Sequence, residues 1–268
     1  MRRYSLLLLV LLLAICVSAG TAWADNTPLY AIDDTTNSLY TINPTTYALT
    51  FVGSLGASGD FGDLAYDPNS GTAYWIAGRG NDSLYTINLN TGVASFVGAH
   101  GVDDMFSLAY DSANHTLYGD ATNGNFYSIS TTTGAATLIG NNGVYPAGMT
   151  FRPDTGQLIL VMAGGQGSFF SINPATGAAT LLGSPGFVND GGVAWDPELG
   201  VYYIDDWSGN LYTVDPNTYQ LTKVSSLNGD AWDGIIFPGG GGQVPEPASL
   251  LLFGSGVVAL GSRLRRKK

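Results

Sequence analysis

The sequence predicts an all-β domain made of five copies of one unit. A phrase of the form Leu-Tyr-Thr-Ile-Asn occurs five times at a spacing of 42 to 45 residues, and a phrase of the form Phe-Val-Gly follows each copy at a constant offset. The first phrase begins at Leu39, Leu84, Phe126, Phe169 and Leu211, and the second begins at Phe51, Phe96, Leu138, Leu181 and Lys223. A repeat of this length built from short strands is typical of a β-propeller blade.

Each unit is predicted to contain four antiparallel strands. In the second unit, residues 64–66 lead into an Asp-Pro-Asn-Ser-Gly turn at 67–71, where Asp accepts backbone hydrogen bonds, Pro presets φ and Gly provides a positive φ. Residues 72–77 and 83–88 form the next two strands, and a turn containing Asn-Thr-Gly leads into residues 93–98. No amphipathic helical period interrupts these units.

The two ends of the repeat region complement each other. The first unit starts at Leu29 without the opening strand of the later units, while residues 235–238 follow the fifth unit and match 64–67 in position and type. The alternative, an open solenoid, needs capping repeats and gains nothing from a displaced strand. We therefore expect an all-β, five-bladed β-propeller of four-stranded antiparallel blades with a C-terminal closing strand at 235–238.

The N-terminus reads as a secretory signal. Basic Arg2 and Arg3 precede an apolar run from residue 6 to 17, and Ala-Trp-Ala before Asp25 predicts cleavage after Ala24 by a signal peptidase. An uncleaved anchor is the alternative, although the run is shorter than the roughly 18 residues that span a bilayer. The only cysteine, Cys16, lies in this run. The mature domain is therefore expected to have neither disulfides nor a cysteine-ligated metal.

The C-terminus has the order of a membrane-sorting signal. Pro245, Glu246 and Pro247 precede an apolar stretch at 248–261 and a basic cluster that ends at Lys268. This tail resembles the PEP-CTERM sorting signal of Gram-negative bacteria. The resemblance implies recognition by an exosortase, cleavage near the Pro-Glu-Pro motif, and transfer from a transient membrane anchor to the cell surface or extracellular matrix. An unprocessed tail anchor, held by the basic cluster at the cytoplasmic side, is the alternative.

The predicted organisation therefore has four parts. They are a signal peptide that forms a helix at 1–24, the propeller at 25–238, a Gly-rich linker with the Pro-Glu-Pro motif at 239–247, and a sorting helix with a basic tail at 248–268. The repeats also resemble those of many uncharacterised bacterial propellers with a Leu-Tyr-Thr-Ile-Asn phrase. That resemblance implies the fold and no particular function, because propellers carry unrelated activities.

The exported domain is strongly acidic. Between residues 25 and 243 the only basic side chains are Arg79, Arg152 and Lys223, against all but one of the chain's 21 acidic residues. Such a surface repels phosphate backbones, so we expect no nucleic-acid partner. Solubility explains the acidity without a specific role, and cation binding is the alternative.

The candidate ligand site lies in loops that the fold should bring to one face. The links that enter the innermost strands combine acidic with aromatic residues in four of five units, and the links between the middle strands share their face. The candidates are Asp60, Phe61, Asp63, Asp103, Asp104, Phe106, Tyr145, Asp190, Trp207, Asp230, Trp232 and Asp233. Such residues bind a sugar by ring stacking, or calcium through carboxylates. Alternatively, the rings wedge between blades and the carboxylates cap turns.

The sequence gives little support for catalysis. The only Glu of the domain, Glu198, lies in a turn expected on the opposite face, and His100 and His115 lie in different loops. We therefore expect a non-enzymatic binding or structural protein of the envelope or extracellular matrix, with a polysaccharide or protein partner and no cofactor. The alternatives are a calcium-dependent carbohydrate-binding propeller, and a polysaccharide hydrolase or lyase that uses aspartate pairs.

Overall fold

The computed structural model describes residues 27–164, 167–186, 191–227, 229 and 231–239, and within them it contains twenty strands and no helix. They are β1 (Leu29–Asp33), β2 (Ser38–Ile42), β3 (Leu49–Ser54), β4 (Asp63–Asp67), β5 (Thr72–Ile76), β6 (Ser83–Ile87), β7 (Ala94–Ala99), β8 (Met105–Asp111), β9 (Thr116–Ala121), β10 (Asn125–Ile129), β11 (Ala136–Asn141), β12 (Pro146–Arg152), β13 (Gln157–Met162), β14 (Phe169–Ile172), β15 (Ala179–Gly183), β16 (Val193–Asp196), β17 (Val201–Asp205), β18 (Asn210–Val214), β19 (Leu221–Ser226) and β20 (Trp232–Ile236).

These strands form five antiparallel sheets of four strands each, which confirms the predicted five-bladed propeller. Blade 1 has the order β20-β1-β2-β3, and blades 2 to 5 are β4 to β7, β8 to β11, β12 to β15 and β16 to β19. The innermost strands β4, β8, β12, β16 and β20 contact one another in sequence, and β20 also contacts β4. The sheets therefore close into a ring.

The closing strand joins the two ends of the domain. It begins earlier than the sequence predicted, at Trp232, and it pairs antiparallel with β1, so that Tyr30 faces Ile236 and Asp33 faces Trp232. The pairing completes blade 1 and leaves the inner edge of β1 covered, which removes a template for association with other chains.

The core lies between the blades. Five clusters of buried apolar side chains fill the five interfaces between neighbouring sheets. Inner strands lie against both neighbouring blades, so all seven residues of β8 are buried, whereas in the outer strand β7 only Gly98 is buried. Burial therefore decreases from the inner to the outer strands of a blade.

Four of the five Phe-Val-Gly phrases end in a glycine that has a packing role. A Cβ atom on Gly53, Gly98 or Gly140 would lie within 2.0 Å of a backbone carbonyl oxygen in the next blade, at Thr91, Thr133 and Thr176 respectively. Gly183 faces the ring of Tyr219 in the same way. The repeated glycine therefore permits the close approach of adjacent blades.

The two mouths of the propeller channel are formed by different loops. The upper mouth carries the links that enter the inner strands and the links between the second and third strands. The lower mouth carries the Asp-Pro turns, and here the chain enters β1 at Leu29 and leaves β20 after Ile236. Both ends of the domain therefore lie on the lower side.

The predicted signal helix and sorting helix, together with Ala24, Pro245, Glu246 and Pro247, lie outside the described residues. Across the ranges that the structure does describe, no helix has the length and apolar character needed to cross a membrane.

Candidate functional site

Asp63 connects the inner strands of three blades. Its carboxylate is fully buried and accepts hydrogen bonds from the backbone N–H groups of Leu64 (2.8 Å), Leu108 (2.8 Å) and Met149 (3.1 Å). One side chain thus ties together the inner strands of blades 2, 3 and 4. Burial raises the pKa of Asp63, although the three N–H groups act in the opposite direction.

Glycines leave the space that this carboxylate fills. The residues at the position of Asp63 in blades 4, 5 and 1 are Gly148, Gly192 and Gly234. A Cβ atom on Gly192 would lie 2.5 Å from the backbone nitrogen of Ile235, and a Cβ atom on Gly148 would lie 2.8 Å from that of Val193. The inner strands therefore meet backbone to backbone at this level, and the carboxylate of Asp63 lies among them.

Above this level, all five blades contribute to a pocket at the upper mouth. Phe61, Phe106, Tyr145, Trp207 and Asp233 come from blades 2, 3, 4, 5 and 1 in that order. The cavity has a volume of about 110 Å³, and Arg79, Pro146, Ala147, Ala163 and Gly191 complete its lining. It will be called the upper pocket.

Three of the aromatic rings of the upper pocket form a stack. The ring centroid of Phe61 lies 4.2 Å from that of Trp207 and 5.1 Å from that of Phe106, with interplanar angles of 27° and 12°. Tyr145 meets Phe106 edge-on at 6.2 Å and is 47% exposed. The guanidinium of Arg79 lies 4.0 Å above the Phe61 ring and pairs with Asp60 at 3.4 Å.

Phe61 holds a conformation that L-residues rarely adopt. Its φ is 59°, and its backbone N–H donates a 2.7 Å hydrogen bond to Oδ2 of Asp34. Asp104 and Ala231, in the corresponding links of blades 3 and 1, also have positive φ values. Strained backbone of this kind persists only where its surroundings hold it, and it concentrates at binding sites.

Buried carboxyl groups lie beneath the rings. Asp233 lines the upper pocket, and Asp34, Asp205, Asp63 and Asp60 act on it electrostatically. Burial is the main cause that raises the pKa values of three of these carboxyl groups. The pKa of Asp233 is raised well above its usual range, that of Asp34 to about 7 and that of Asp205 to about 8. Oδ1 of Asp34 and Oδ2 of Asp205 are buried without a hydrogen-bond partner.

The structure separates the predicted site residues into groups. Those that line the upper pocket are Phe61, Phe106, Tyr145, Trp207 and Asp233. Asp60 lies at its rim, Asp103 is exposed, and Asp104 contributes its carbonyl oxygen to a hydrogen bond with Thr122. Asp63 lies in the channel, and Trp232 is buried in the core against Tyr40. Asp190 and Asp230 lie outside the described residues.

A metal site is not formed by the side chains that the structure describes. Among them, no three His, Cys, Asp or Glu side chains are grouped so that they could hold a metal ion. Calcium binding stays a prediction.

The lower mouth also contains a pocket, which was not predicted from the sequence. Its cavity of about 80 Å³ will be called the lower pocket, and an equivalent aromatic residue from every blade lines it: Tyr66, Tyr110, Phe151, Trp195 and Phe237. The sequence contains the pattern that produces this pocket. In every inner strand, an aromatic residue follows two positions after the apolar residue that is equivalent to Leu64.

Turn chemistry dominates the rim of the lower pocket. Asp67, Asp111 and Asp196 each accept backbone N–H groups from the turn that follows them. Arg152 lies 4.0 Å above the Trp195 ring and donates to Asp154 through two nitrogens. These contacts hold the turns in place, and Gly239, the last described residue, lies at the same rim.

Comparison with protein families gives two matches. Residues 243–267 match the model of the PEP-CTERM protein-sorting motif, and residues 14–109 match a domain of unknown function, DUF4394. The first match confirms the predicted sorting signal and indicates export with processing by an exosortase. The second covers about a third of the chain and assigns no activity. No curated protein matches the sequence.

Solved structures share the fold. A structural-genomics protein of unknown function from Bacteroides thetaiotaomicron aligns with a TM-score of 0.59 and 18% identity over 81% of this chain, which spans 63% of that protein. A chain of the nidogen/laminin complex aligns with a TM-score of 0.55 and 11% identity over 78% of this chain and 97% of that one. At these identities, the likeness concerns the fold alone.

Proposed function

We propose that this exported chain is a non-catalytic carbohydrate-binding protein of the cell envelope or extracellular matrix of a Gram-negative bacterium, and that the upper pocket is its binding site. The observation that carries the proposal is the convergence of one pocket-lining side chain from each of the five blades, of which four are aromatic. The predicted export and the sorting motif supply the location.

The chemistry of the upper pocket suits a sugar ring. The flat faces of aromatic side chains pack against the C–H faces of pyranose rings, and a few polar groups at the edge fix the hydroxyl groups. Tyr145 offers an exposed ring, and Arg79 and Asp233 offer a donor and an acceptor at the same cavity. A cavity of about 110 Å³ admits one terminal sugar or one side group of a longer chain.

The orientation of the domain supports this assignment. The chain leaves the propeller at Gly239 on the lower side, and the sorting motif begins at residue 243. The apolar stretch of the tail begins at residue 248, and the nine residues after Gly239 reach at most about 32 Å when extended. The tail therefore leaves the domain from the side opposite the upper pocket.

The arrangement of carboxyl groups favours binding over hydrolysis. Glycoside hydrolysis uses two carboxyl groups on either side of the scissile bond. Among the described candidates for such a pair, Asp233 lines the upper pocket, while Asp63 is enclosed by backbone N–H groups in the channel. Asp60, at the rim, is engaged by Arg79.

A glycan-array screen of residues 25–243, which contain all twenty strands, tests the proposal. We expect binding to one glycan class with and without calcium, and a loss of roughly ten-fold or more in affinity for Tyr145→Ala. Phe96→Ala is the matched control, because it removes an exposed aromatic ring on an outer strand far from the upper pocket.

Three results would contradict the proposal. Absence of binding to any glycan would remove the carbohydrate function. Binding that requires calcium would move the site to the acidic loops. Release of reducing ends from a bound polysaccharide would show catalysis.

A further inference from the structure

The floor of the upper pocket consists of buried carboxyl groups, and neither ion pair among the described residues involves Asp233, Asp34 or Asp205. Asp233 is 4% exposed and lines the upper pocket. Asp34 and Asp205, which act on it electrostatically, each have one buried oxygen without a partner. Buried acceptors of this kind are costly until a donor or a cation reaches them.

The basic side chains of the domain do not neutralise this floor. Arg79 lies at the rim, where its guanidinium pairs with Asp60 and covers Phe61. Arg152 lies at the lower mouth and pairs with Asp154. Lys223 lies on the outer strand β19, where it donates to Asn210. Of these three basic side chains, only Arg79 lines the upper pocket, and its ion pair is with Asp60.

The walls of the upper pocket already hold a cation. The guanidinium carbon of Arg79 lies 4.0 Å from the centroid of Phe61 and 5.6 Å from that of Phe106. Aromatic faces attract cations through their quadrupole, and Trp is the strongest of them. Trp207 and Tyr145 line the same cavity. Aromatic walls above an acidic floor recognise a ligand with an apolar body and a positive group.

We propose that the ligand of the upper pocket carries a positively charged amine, so that sugars with free amino groups are preferred to neutral, N-acetylated or carboxylated sugars. This inference rests on the proposed carbohydrate-binding function and specifies its ligand class. The amine approaches the carboxyl group of Asp233, and the sugar ring packs on the aromatic wall.

Equilibrium binding to residues 25–243 tests the preference with three probes of equal length. The probes are a glucosamine oligosaccharide, its fully N-acetylated counterpart and an oligouronate. We expect the glucosamine probe to bind about ten-fold tighter or more than the N-acetylated probe, and the oligouronate to bind weakest. Equal binding of the first two, or tightest binding of the oligouronate, would overturn the inference.

Two variants identify the groups responsible. Asp233→Asn keeps the shape of the side chain and removes its ability to ionise beside an amine, so it should abolish the preference for the amine and leave binding of the N-acetylated probe in place. Arg79→Gln removes the opposing charge and should strengthen binding of the glucosamine probe. Weaker binding by Arg79→Gln would show that arginine clamps an anionic ligand, which contradicts the inference.

A second acidic variant keeps the test decisive if Asp233→Asn does not fold. Asp60→Asn alters a half-exposed side chain and releases the charge of Arg79 toward the upper pocket. It should weaken binding of the glucosamine probe several-fold and leave the N-acetylated probe unchanged. An unchanged preference would count against the inference.

Choline, a permanent cation, adds a pH test that is independent of ligand protonation. Burial raises the pKa of Asp233, and the neighbouring Asp34, whose pKa is raised to about 7, titrates in an accessible range. A cation binds the ionised carboxyl, so choline affinity should rise with pH through this range and vary less in Asp233→Asn. Choline affinity that is independent of pH in the unaltered protein would contradict a carboxyl floor.

The outcomes separate this inference from the proposed function. If N-acetylated or neutral sugars bind best, and Tyr145→Ala abolishes that binding, the carbohydrate function stands and the amine preference falls. If choline binds and no sugar does, the cation site stands and the carbohydrate function falls.

Discussion

The upper and lower pockets lie at opposite mouths of the propeller, yet they are built on different principles. The lower pocket repeats one strand position five times and obtains an aromatic residue from each blade. The upper pocket takes its residues from links and from the first residues of inner strands, and these positions are not equivalent between blades. Positions that are equivalent in every blade thus form the scaffold, and positions that differ between blades form the candidate site.

Truncation should give the largest effect, because it opens the ring. A domain that ends at residue 231 lacks β20, exposes the inner edge of β1 and loses the core interface between blades 5 and 1. Net stability of a domain is small, so we expect cooperative unfolding to disappear. Urea denaturation checks this against a domain that ends at residue 239. Equal midpoints for the two domains would refute closure by β20.

Substitutions in the lower pocket should change the stability of the domain and leave ligand binding unchanged. Phe151→Ala removes a buried ring at the lower mouth and should lower the free energy of unfolding by about 3 kcal/mol. Tyr145→Ala, at the upper pocket, should lower it by less than about 1 kcal/mol, because the ring is half-exposed. Denaturant titration combined with glycan binding would show whether the two effects separate. A binding defect in folded Phe151→Ala would argue against the division of roles.

The carboxyl group of Asp63 should contribute to the stability of the domain and not to ligand binding. Asp63→Ala leaves the buried N–H groups of Leu108 and Met149 without an acceptor and should cost about 3 kcal/mol of stability. Asp103→Ala, at an exposed position in a neighbouring link, serves as the control and should change stability little. If Asp63→Ala matched this control in thermal unfolding, the carboxylate would not join the inner strands.

Acid should stabilise the fold slightly, because buried carboxyl groups at the upper side favour the protonated form. Burial raises the pKa of Asp120 to about 8 from its usual range. The native state therefore binds more protons than the unfolded state between about pH 4 and pH 8, and stability falls as pH rises through that window. Asp120→Asn should raise the melting temperature, and the increase should be much larger at pH 8 than at pH 4. The opposite order would show that Asp120 is ionised in the native state.

The sequence predicted the fold well because the information was repeated. Five copies of the strand and turn pattern reinforced one another, and the missing first strand had a counterpart at 235–238. The boundary of that strand was less predictable. The pairing with β1 shifts register between Ala31 and Ile32, which allows β20 to begin at Trp232. A local irregularity of this kind has no counterpart in the repeat.

The candidate site was predictable in its location and less so in its members. Asp63 lies directly before the first apolar residue of its strand, whereas Asp233 lies two residues before Ile235. Neighbouring positions on a strand face opposite ways, so Asp63 reaches the channel and Asp233 lines the upper pocket. The roles of Asp34 and Asp205 depend on contacts with Phe61 and Gly192, which no spacing along the chain reveals.

A crystal structure of residues 25–243 with a bound glucosamine oligosaccharide tests the central claim most directly. The account predicts one sugar ring packed against Tyr145 in the upper pocket, with its amine nitrogen about 3 Å from the carboxyl group of Asp233. A sugar bound in the lower pocket, or on the outer strands with the upper pocket empty, would contradict the assignment of the upper pocket as the ligand site.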